Sequence, residues 1–359
     1  MSLALLLATE LRVDVEAGHE VLGISAPGRY VPEVEALGVR HVAVSSLTRA
    51  WDLRSDVQAA RDLWSLIRGL DLDVLHTHNP KTGVLGRALG RLARVPAVVN
   101  TCHGLWAGSD DGRLKRTVVL GIEAAAAQFS HAELYQNAED RRALAWAIRA
   151  AKAEVVGNGV DLERFRFDPA GRARVRAEWG VDDGQLVVGG VGRLVAEKGV
   201  RELSAAAQAL AGRARFVWVG PRDESKADRL TGPLPGLELV GERSDMPATY
   251  SAFDVFVLPS YREGFSRSAM EAAACGRPMV LTDIRGCREI GTDGEHLLLV
   301  RARNAAALTQ AVAHLLDDGD LRDRVAGAAE ARARSAFDQR AVALRSLATY
   351  DRVLRRSRR

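Results

Sequence analysis

The 359-residue sequence contains little cysteine and no long apolar run. Its three cysteines, Cys102, Cys275 and Cys287, form neither a disulfide framework nor a paired metal-binding spacing. We therefore expect a reducing, cytoplasmic environment. Charged residues interrupt every apolar run well before the roughly 20 residues that a membrane-spanning helix needs. Residues 1–8 are apolar but lack a basic leader and a small-residue cleavage site, so they do not read as a signal peptide.

The sequence also lacks a strong excess of charge of either sign. It has 50 basic and 46 acidic residues, a formal net charge of +4, which does not call for a nucleic-acid partner. Hydrophobic residues make up 47% and charged residues 27%, as in folded globular proteins and unlike disordered chains. The most concentrated basic segment is residues 355–359 (RRSRR), either a solvated terminus or a segment attracted to an anionic membrane surface.

Short apolar runs alternate with amphipathic segments along the chain, which predicts α/β domains with parallel, doubly wound sheets. In the first half, strands are predicted at 20–25, 41–45, 73–78 and 97–103, and helices at 31–38, 55–70 and 82–94. The pattern breaks at residues 163–171, which read as irregular, and starts afresh at 185–194. We expect two Rossmann-like domains, 1–158 and 159–335, and a C-terminal helix, 336–359, that packs back toward the first domain.

The first candidate functional segment, residues 191–199 (VGRLVAEKG), follows an apolar strand and precedes a helix. Gly192 lets a backbone approach an anion closely, and a helix N-terminus offers free N–H groups. Arg193 and Lys198 add two positive charges, so the segment suits a diphosphate. It matches neither the P-loop nor the GxGxxG pattern, and the alternative interpretation is a solvated basic turn.

The second candidate segment contains two glutamates eight positions apart, Glu263 and Glu271. A carboxylate accepts two hydroxyl hydrogen bonds at once, so it can hold the vicinal diol of a sugar or ribose. The free N–H groups of residues 264–266, at the start of a predicted helix, suit hydroxyl or phosphate oxygens. The alternative interpretation is an exposed glutamate and an unrelated glutamate on a helix face.

Histidines and aspartates in the first half offer further candidates. His103 ends a predicted parallel strand, where either a structural or a functional role fits. His76 and His78 share one face of a strand, but no third metal ligand is evident, so packing is the favoured interpretation. The pair Asp71 and Asp73 matches the spacing of a metal-binding DxD motif. Because it directly precedes a buried strand, we interpret it as part of a turn. No catalytic metal is predicted.

Taken together, the segments GVGRLVAEKGV and SYREGFSRSAMEAAACGRPMVLTDIRGCREI resemble the retaining glycosyltransferases of family 4, which have the GT-B fold. HTHNPKTGVLGRALGRLARVPAVVNTCHG and GNGVDLERF agree, and the resemblance covers about residues 20–355. The HTHNPK and DIRGCREI segments are most similar to members that extend polyprenyl-diphosphate-linked or other surface glycans. The resemblance implies two Rossmann-like domains facing across a cleft, the first on the acceptor side and the second binding a nucleotide sugar.

The resemblance also implies roles for single residues. Arg193 and Lys198 would bind the donor diphosphate and stabilise it as the leaving group, and His103 would reach the donor sugar. Glu263 would lie near the sugar hydroxyls and Glu271 would hold the ribose. The remaining implied donor-binding positions are Gly192, Gly264, Phe265 and Ser266. Family members often have glycine or proline where Ser266 stands, so sugar preference is not carried over.

These roles predict a retaining hexosyl- or N-acetylhexosaminyl-transferase that needs no cofactor. Its donor would be a UDP- or GDP-linked sugar, and its acceptor a glycan, a lipid-linked compound or a small molecule. Two alternatives remain open: a GT-B epimerase or phosphorylase, and a catalytically weak partner in a glycan-assembly complex. The expected location is cytoplasmic, with peripheral contact at the inner face of the membrane.

The opening segment MSLALLLATELRVDVEAGHEV, residues 1–21, reads as a helix, because alanine and leucine dominate and β-branched residues are scarce before Val13. Only 18 residues precede His19, too few for a strand, a glycine-containing loop and a helix together. We therefore expect the first strand of the first domain to be absent from this sequence. Either a start codon placed too far downstream or a true truncation would explain this, and a true truncation would impair activity.

Overall fold

The computed structural model describes residues 2–48, 52–108, 111–182, 184–223 and 228–357. The chain forms two compact units. The first comprises Met1–Gly157 and Gln339–Arg359, and the second comprises Asn158–Asp338. No helix in the described ranges combines the length and the apolar character that crossing a membrane requires.

The first unit alternates strands and helices. Its strands are β1 (Leu22–Ser25), β2 (Arg40–Ala43), β3 (Val74–His78), β4 (Ala97–Cys102), β5 (Ala132–Tyr135) and β6 (Ala153–Val155). Its helices up to the unit boundary are α1 (Ser2–Leu5), α2 (Ala8–Glu16), α3 (Val31–Glu35), α4 (Leu53–Gly69), α5 (Pro80–Leu92), α6 (Arg113–Ala127) and α7 (Ala138–Ala143). The helical start agrees with the alanine- and leucine-rich composition of these residues.

The strands of the first unit form two parallel sheets, where one doubly wound sheet was expected. One sheet pairs β1 with β2, and the other has the order β3-β4-β5-β6. Of the described residues before β1, 2–16 are almost entirely helical and 17–21 form a turn and an irregular segment, so they supply no strand to join β1 to β3. On β4, Val98 packs with Leu63 and Ile67 of α4, whereas its neighbours Ala97 and Val99 face the opposite side of the sheet.

Side-chain caps fix two of these helices. The Asp52 carboxylate accepts a hydrogen bond from the Ser55 backbone N–H at 2.9 Å, so Asp52 is the N-cap of α4 and the helix begins two residues before the expected residue 55. Asn137 is the N-cap of α7, because its side chain accepts a hydrogen bond from the Asp140 N–H at 2.8 Å.

The second unit has one six-stranded parallel sheet of order β12-β11-β10-β7-β8-β9. Its strands are β7 (Val187–Val191), β8 (Arg215–Val219), β9 (Glu238–Gly241), β10 (Val255–Leu258), β11 (Met279–Thr282) and β12 (Leu298–Val300). Its helices are α8 (Pro169–Glu178), α9 (Val200–Ala209), α10 (Met246–Ala252), α11 (Arg267–Ala274), α12 (Arg285–Arg288), α13 (Ala305–Asp317) and α14 (Gly319–Ala336). Its four central strands are buried almost throughout, as parallel strands covered on both faces must be.

Helix α8 corrects the expectation that residues 163–171 are irregular throughout. It begins at Pro169, and the Asp168 side chain accepts a hydrogen bond from the Gly171 N–H at 2.8 Å. An aspartate N-cap followed by proline is a strong helix start, because proline lacks only an N–H that would be unpaired there.

The chain returns to the first unit as helix α15 (Gln339–Ser357). Tyr350 and Val353 of α15 pack against Ala97 and Val99 of β4. The helix starts three residues later than expected, because Phe337 is buried in the core of the second unit and ends the preceding segment there.

Candidate functional site

The sheet of the second unit changes direction between β7 and β10, which are adjacent parallel strands. From β7 the chain moves outward through β8 and β9, and it returns to β10 before moving outward through β11 and β12. In open parallel sheets, ligands bind beyond the carboxyl ends of the strands at such a point, because the two departing loops separate there. The loop after β7, the loop after β10 and helix α11 contain every candidate residue of the second unit.

The loop after β7 brings Lys198 to the end of a 3₁₀ turn, Ala196–Lys198. Gly199 follows in the left-handed conformation, with φ of 67°, and is the N-cap of α9. A β-carbon at Gly199 would lie 2.0 Å from the carbonyl oxygen of Pro259, so only glycine fits. The basic turn therefore lies directly against the chain that leaves β10.

Two further candidates occupy the start of this loop. Gly192 directly follows β7, and its carbonyl oxygen accepts a hydrogen bond from Trp218 Nε1 at 2.9 Å. The Arg193 guanidinium donates to Asp223 Oδ2 at 2.7 Å and to Glu197 Oε1 at 3.2 Å. Because the Arg193 side chain is 38% exposed, these ion pairs are weak and can be exchanged for an anionic ligand.

The loop after β10 joins the basic turn through its acidic residue. Glu263 Oε1 accepts hydrogen bonds from Lys198 Nζ at 2.5 Å and from Ser260 Oγ at 2.7 Å. The Tyr261 backbone N–H donates to the Glu197 carbonyl oxygen at 2.8 Å. The structure therefore brings together the two segments that the sequence places 65 positions apart.

Glu271 lies on α11 below this loop. Its Oε2 accepts a hydrogen bond from the Tyr250 hydroxyl at 2.8 Å, and its Oε1 accepts from Arg267 Nε at 3.1 Å. Burial raises the pKa of Glu271, and the charge of Arg267 opposes this shift. Each carboxylate oxygen has lone pairs beyond the one already used, so the group can still accept hydroxyl donors.

Two of the candidate residues that follow Glu263, Phe265 and Ser266, direct their side chains away from solvent or into the helix start. Ser266 is 1% exposed and caps α11, its hydroxyl accepting from the Ala269 N–H at 3.3 Å. The Phe265 ring meets the Phe337 ring edge-on with centroids 5.7 Å apart. The part of this loop left to contact a donor is therefore the backbone around Gly264. Its contact with the donor stays a prediction.

His103 lies in the first unit, where the structure reveals a cluster of histidines. His103 Nε2 lies 3.0 Å from His78 Nδ1, and the rings of His78 and His76 have centroids 4.1 Å apart. The two nitrogens of His76 are hydrogen-bonded to the Tyr350 hydroxyl at 2.6 Å and the Thr101 hydroxyl at 2.8 Å. The cluster therefore joins β3, the end of β4 and α15.

Two acidic residues of α2 complete this cluster. Glu10 Oε1 lies 3.3 Å from His76 Nδ1, and the nearby His76 lowers the pKa of Glu10 although burial opposes the shift. Burial lowers the pKa of His103 to about 4 and the pKa of His78 well below its ordinary value. Burial and the charge of Glu10 raise the pKa of Asp14 to about 7.

The cluster also corrects the statement that His76 and His78 lack a third potential metal ligand. Glu10 supplies one, since one ligand atom from each of the three residues lies within 4.8 Å of the others. Both nitrogens of His76 and Nδ1 of His78 already have hydrogen-bond partners in the protein. The expectation that no metal takes part in catalysis stays a prediction.

Three residues that position the site were missed in the sequence. Tyr250, which holds Glu271, lies on a different helix 21 positions earlier. Gly286 packs against the Glu263 backbone, and a β-carbon there would lie 2.8 Å from it. Glu10 lies 66 positions before its partner His76. No local pattern marks the tyrosine or the glutamate, whereas the glycine stands in the DIRGCREI segment already quoted.

Comparison with solved structures defines the class of protein. Anabaena Alr3699/HepE in complex with UDP superimposes with a TM-score of 0.80 at 20% identity, covering 96% of each chain. Sucrose-phosphate synthase from Thermosynechococcus elongatus gives a TM-score of 0.80 at 20% identity, covering 96% of this chain and 91% of that one. These similarities confirm the GT-B fold of two parallel-sheet α/β domains.

Comparison at the sequence level identifies the family. The model described as "Glycosyltransferase Family 4" matches residues 4–164, and the model described as "Glycosyl transferases group 1" matches residues 185–318. The N,N'-diacetylbacillosaminyl-diphospho-undecaprenol alpha-1,3-N-acetylgalactosaminyltransferase of Campylobacter jejuni is 30% identical over 353 residues, covering 94% of this chain and 92% of the relative. The UDP-Gal:alpha-D-GlcNAc-diphosphoundecaprenol alpha-1,3-galactosyltransferase of Escherichia coli is 30% identical, covering 78% and 76%.

The chain therefore belongs to glycosyltransferase family 4. It is a retaining glycosyltransferase, and the prediction made from the two loop segments is confirmed at this level.

Proposed function

We propose that this enzyme transfers a hexose or an N-acetylhexosamine from a UDP-linked donor to a glycan carried on a lipid diphosphate. Two relatives support this proposal, because their names specify diphospho-undecaprenol-linked acceptors and, in one case, a UDP-galactose donor. A structural neighbour bound to UDP supports uracil as the base of the donor nucleotide. The proposal requires no cofactor and no metal, and it places the reaction at the cytoplasmic face of the membrane.

The observation that carries the proposal is the ion pair between Lys198 and Glu263 at the switch point of the sheet. In the free enzyme the ammonium group of Lys198 lies 2.5 Å from Glu263. A donor diphosphate would compete with Glu263 for this cation, and Arg193 beside it would add a second positive charge. The negative charge on the diphosphate grows as the bond to the sugar breaks, so these cations stabilise the transition state more than the ground state.

The bond changes of the proposed transfer balance without any further reagent. The bond between the anomeric carbon and the diphosphate oxygen breaks, and its electron pair stays on the diphosphate. An acceptor hydroxyl oxygen forms the new bond on the same face of the sugar, which retains the anomeric configuration. The proton of that hydroxyl passes to the leaving diphosphate. No carboxylate nucleophile is required on the opposite face.

Glu271 and His103 take positioning roles in the proposed reaction. The two oxygens of Glu271, oriented by Tyr250 and Arg267, would accept the ribose hydroxyls. Because burial lowers the pKa of His103 to about 4, its imidazole is neutral near pH 7. A neutral imidazole can offer a hydrogen bond without adding a charge, and the contact of His103 with the donor sugar stays a prediction from the family resemblance.

The experiment is a panel of UDP- and GDP-linked sugars incubated with and without an extract of lipid-linked glycans. Release of UDP that depends on both one UDP-sugar and the extract is the expected result, with an α-linked product by proton NMR. Formation of a sugar 1-phosphate from the extract and added inorganic phosphate, without any nucleotide sugar, would indicate a phosphorylase, and conversion of the sugar without release of UDP would indicate an epimerase. No turnover with any donor would favour a catalytically weak partner, and each of these three outcomes contradicts the proposal.

A further inference from the structure

Helix α6 of the first unit presents an apolar stripe to solvent. Leu114, Val118 and Ile122 are 80%, 49% and 36% exposed, respectively. Residues four apart on an α-helix advance by about 40°, so these three side chains fall within about 80° of arc and about 12 Å of length. Single exposed apolar side chains are ordinary, but a contiguous stripe on one helix face marks an interaction surface.

The charges of the same helix are all of one sign where they meet solvent. Arg113, Lys115 and Arg116 are exposed at its first turn. Glu123 is the single acidic residue of α6, and it is buried in an ion pair with Arg87 at 2.6 Å. An acidic partner of one of these basic residues precedes the helix: Asp111 Oδ1 accepts a hydrogen bond from Lys115 Nζ at 2.6 Å.

The inner face of α6 is fixed firmly, so the exposed stripe belongs to a rigid element. Arg87 of α5 is 1% exposed and bridges Glu123 to Glu133 of β5, at 2.6 and 3.0 Å. Trp106 Nε1 adds a hydrogen bond to Glu123 at 3.3 Å. A buried charge network of this kind holds the helix in one orientation, because breaking it would leave a buried charge without a partner.

The apolar surface continues beyond the C-terminal end of α6. Phe129 is 38% exposed, and Trp146 is 70% exposed. Gln128 Nε2 donates to the carbonyl oxygen of Ala147 at 3.4 Å, which places the neighbour of Trp146 beside this helix end. Tryptophan and phenylalanine are side chains that favour the interface between a bilayer and water.

We propose that the exposed face of α6 docks on a bilayer surface that contains anionic lipids. An apolar stripe accompanied by lysine and arginine is complementary to the acyl boundary and the negative headgroups of such a bilayer. A second copy of the chain fits less well, because in a contact of α6 with α6 neither copy offers the other's basic residues an exposed acidic residue of the helix. The inference rests on the proposed function in one respect, since a lipid-linked acceptor gives the enzyme a reason to bind a membrane. The evidence for the inference is the surface of α6.

The geometry also separates this surface from the basic C-terminal tail. Helix α6 packs beside α5 on one face of the β3–β6 sheet, through Tyr135 and Arg87. Helix α15 packs on the opposite face, through Ala97 and Val99. A planar bilayer that contacts α6 therefore does not also contact the far side of α15, and the tail arginines supply a matched control.

The test is flotation of the full chain with vesicles of phosphatidylcholine, with and without phosphatidylglycerol, in the absence of donor and acceptor. We expect binding that requires phosphatidylglycerol and weakens with salt. A Leu114→Gln, Val118→Gln, Ile122→Gln variant and an Arg113→Gln, Lys115→Gln, Arg116→Gln variant should each lose about tenfold or more in partition coefficient. An Arg355→Gln, Arg356→Gln variant should bind as the wild type does.

Several outcomes would overturn the docking proposal. Equal binding by the wild type and the apolar-stripe variant would do so, as would loss of binding in the tail variant alone. A dimeric wild type that becomes monomeric in the apolar-stripe variant would show that a second copy covers this face. Since all substituted side chains are exposed, unchanged thermal unfolding confirms that each variant is folded. The vesicles contain neither substrate, so failure to bind and failure to transfer sugar are separate results.

Discussion

The two units hold their candidate side chains in opposite ways. In the second unit, Lys198 and Glu263 are oppositely charged, lie on two loops and are paired at a strand switch point. In the first unit, the rings of His76, His78 and His103 are packed against one another, and burial lowers the pKa of His78 and His103. An ion pair on loops can exchange partners with an incoming anion. The buried imidazoles of His78 and His103 instead stay neutral near pH 7 and provide shape and hydrogen bonds.

The largest effect should come from Lys198→Ala, which removes the cation at the switch point. We expect kcat/KM for sugar transfer to fall by about 10³-fold, because the charge growing on the diphosphate loses a partner. Steady-state kinetics with the donor identified by the panel measures this. Arg213→Ala is the control, since Arg213 pairs with Asp317 just before β8, at the amino end of the sheet. A fall in kcat/KM of less than about tenfold for Lys198→Ala would contradict the difference that we draw between the two units.

Glu263→Gln tests whether the ion pair is exchanged when the donor binds. We expect kcat to fall by about 10²-fold while the Kd for UDP does not weaken, because the substitution frees Lys198 for the diphosphate. Kinetics and calorimetry together provide this split. If UDP binding weakened as much as kcat fell, the role of Glu263 would be to hold the loop in place. The proposed exchange of Glu263 for the donor diphosphate as the partner of Lys198 would then be wrong.

Asp14→Asn tests whether the acidic side chain beside the histidine cluster of the first unit is buried. The pKa of Asp14 is raised to about 7 in the folded chain. The folded state therefore binds a proton more tightly than the unfolded state, and the free energy of unfolding falls as pH rises from about 4 through about 7. Asparagine removes this dependence and should stabilise the first unit by about 2 kcal/mol at about pH 8.

Hydrogen exchange of α2 and β3 amides in urea, at about pH 5.5 and about pH 8, measures the difference between Asp14→Asn and the wild type. The stabilisation should grow with pH. A difference that is the same at both values would show that Asp14 is solvated, and the account of the cluster as buried would fail.

The smallest effect should come from Tyr250→Phe, which removes one of the two side-chain donors to Glu271. Loss of one hydrogen bond to a carboxylate that stays oriented by Arg267 should weaken UDP binding by about 3- to 10-fold. The kcat value should hardly change, because Tyr250 acts on binding through Glu271. A larger fall in kcat than in affinity would move Tyr250 into the chemical step.

The sequence allowed the second unit's site to be predicted because its chemistry is local. A strand, a glycine loop with Arg193 and Lys198, and two glutamates around a helix start each occupy a few consecutive residues. Parallel pairing then brings such loops to one edge of a sheet. The start of α8 was also readable, since Asp168 and Pro169 are an N-cap and a first-turn proline, but the surrounding charged residues obscured it.

The histidine cluster could not be predicted in the same way. Its partners come from α2, β3, the end of β4 and α15, and Tyr350 lies 274 positions from His76. Only the packing of α15 on the sheet brings them together. The division of the first unit into two sheets was equally hidden, because strand pairing depends on which segments lie side by side and not on their own patterns.

The most direct test of the central claim, that the loops after β7 and β10 form the donor diphosphate site, is calorimetric titration of UDP. The account predicts that UDP binds the wild type and Arg213→Ala with equal affinity and binds Lys198→Ala at least about tenfold more weakly. Equal affinity in all three proteins, or no binding of UDP to the wild type, would contradict it.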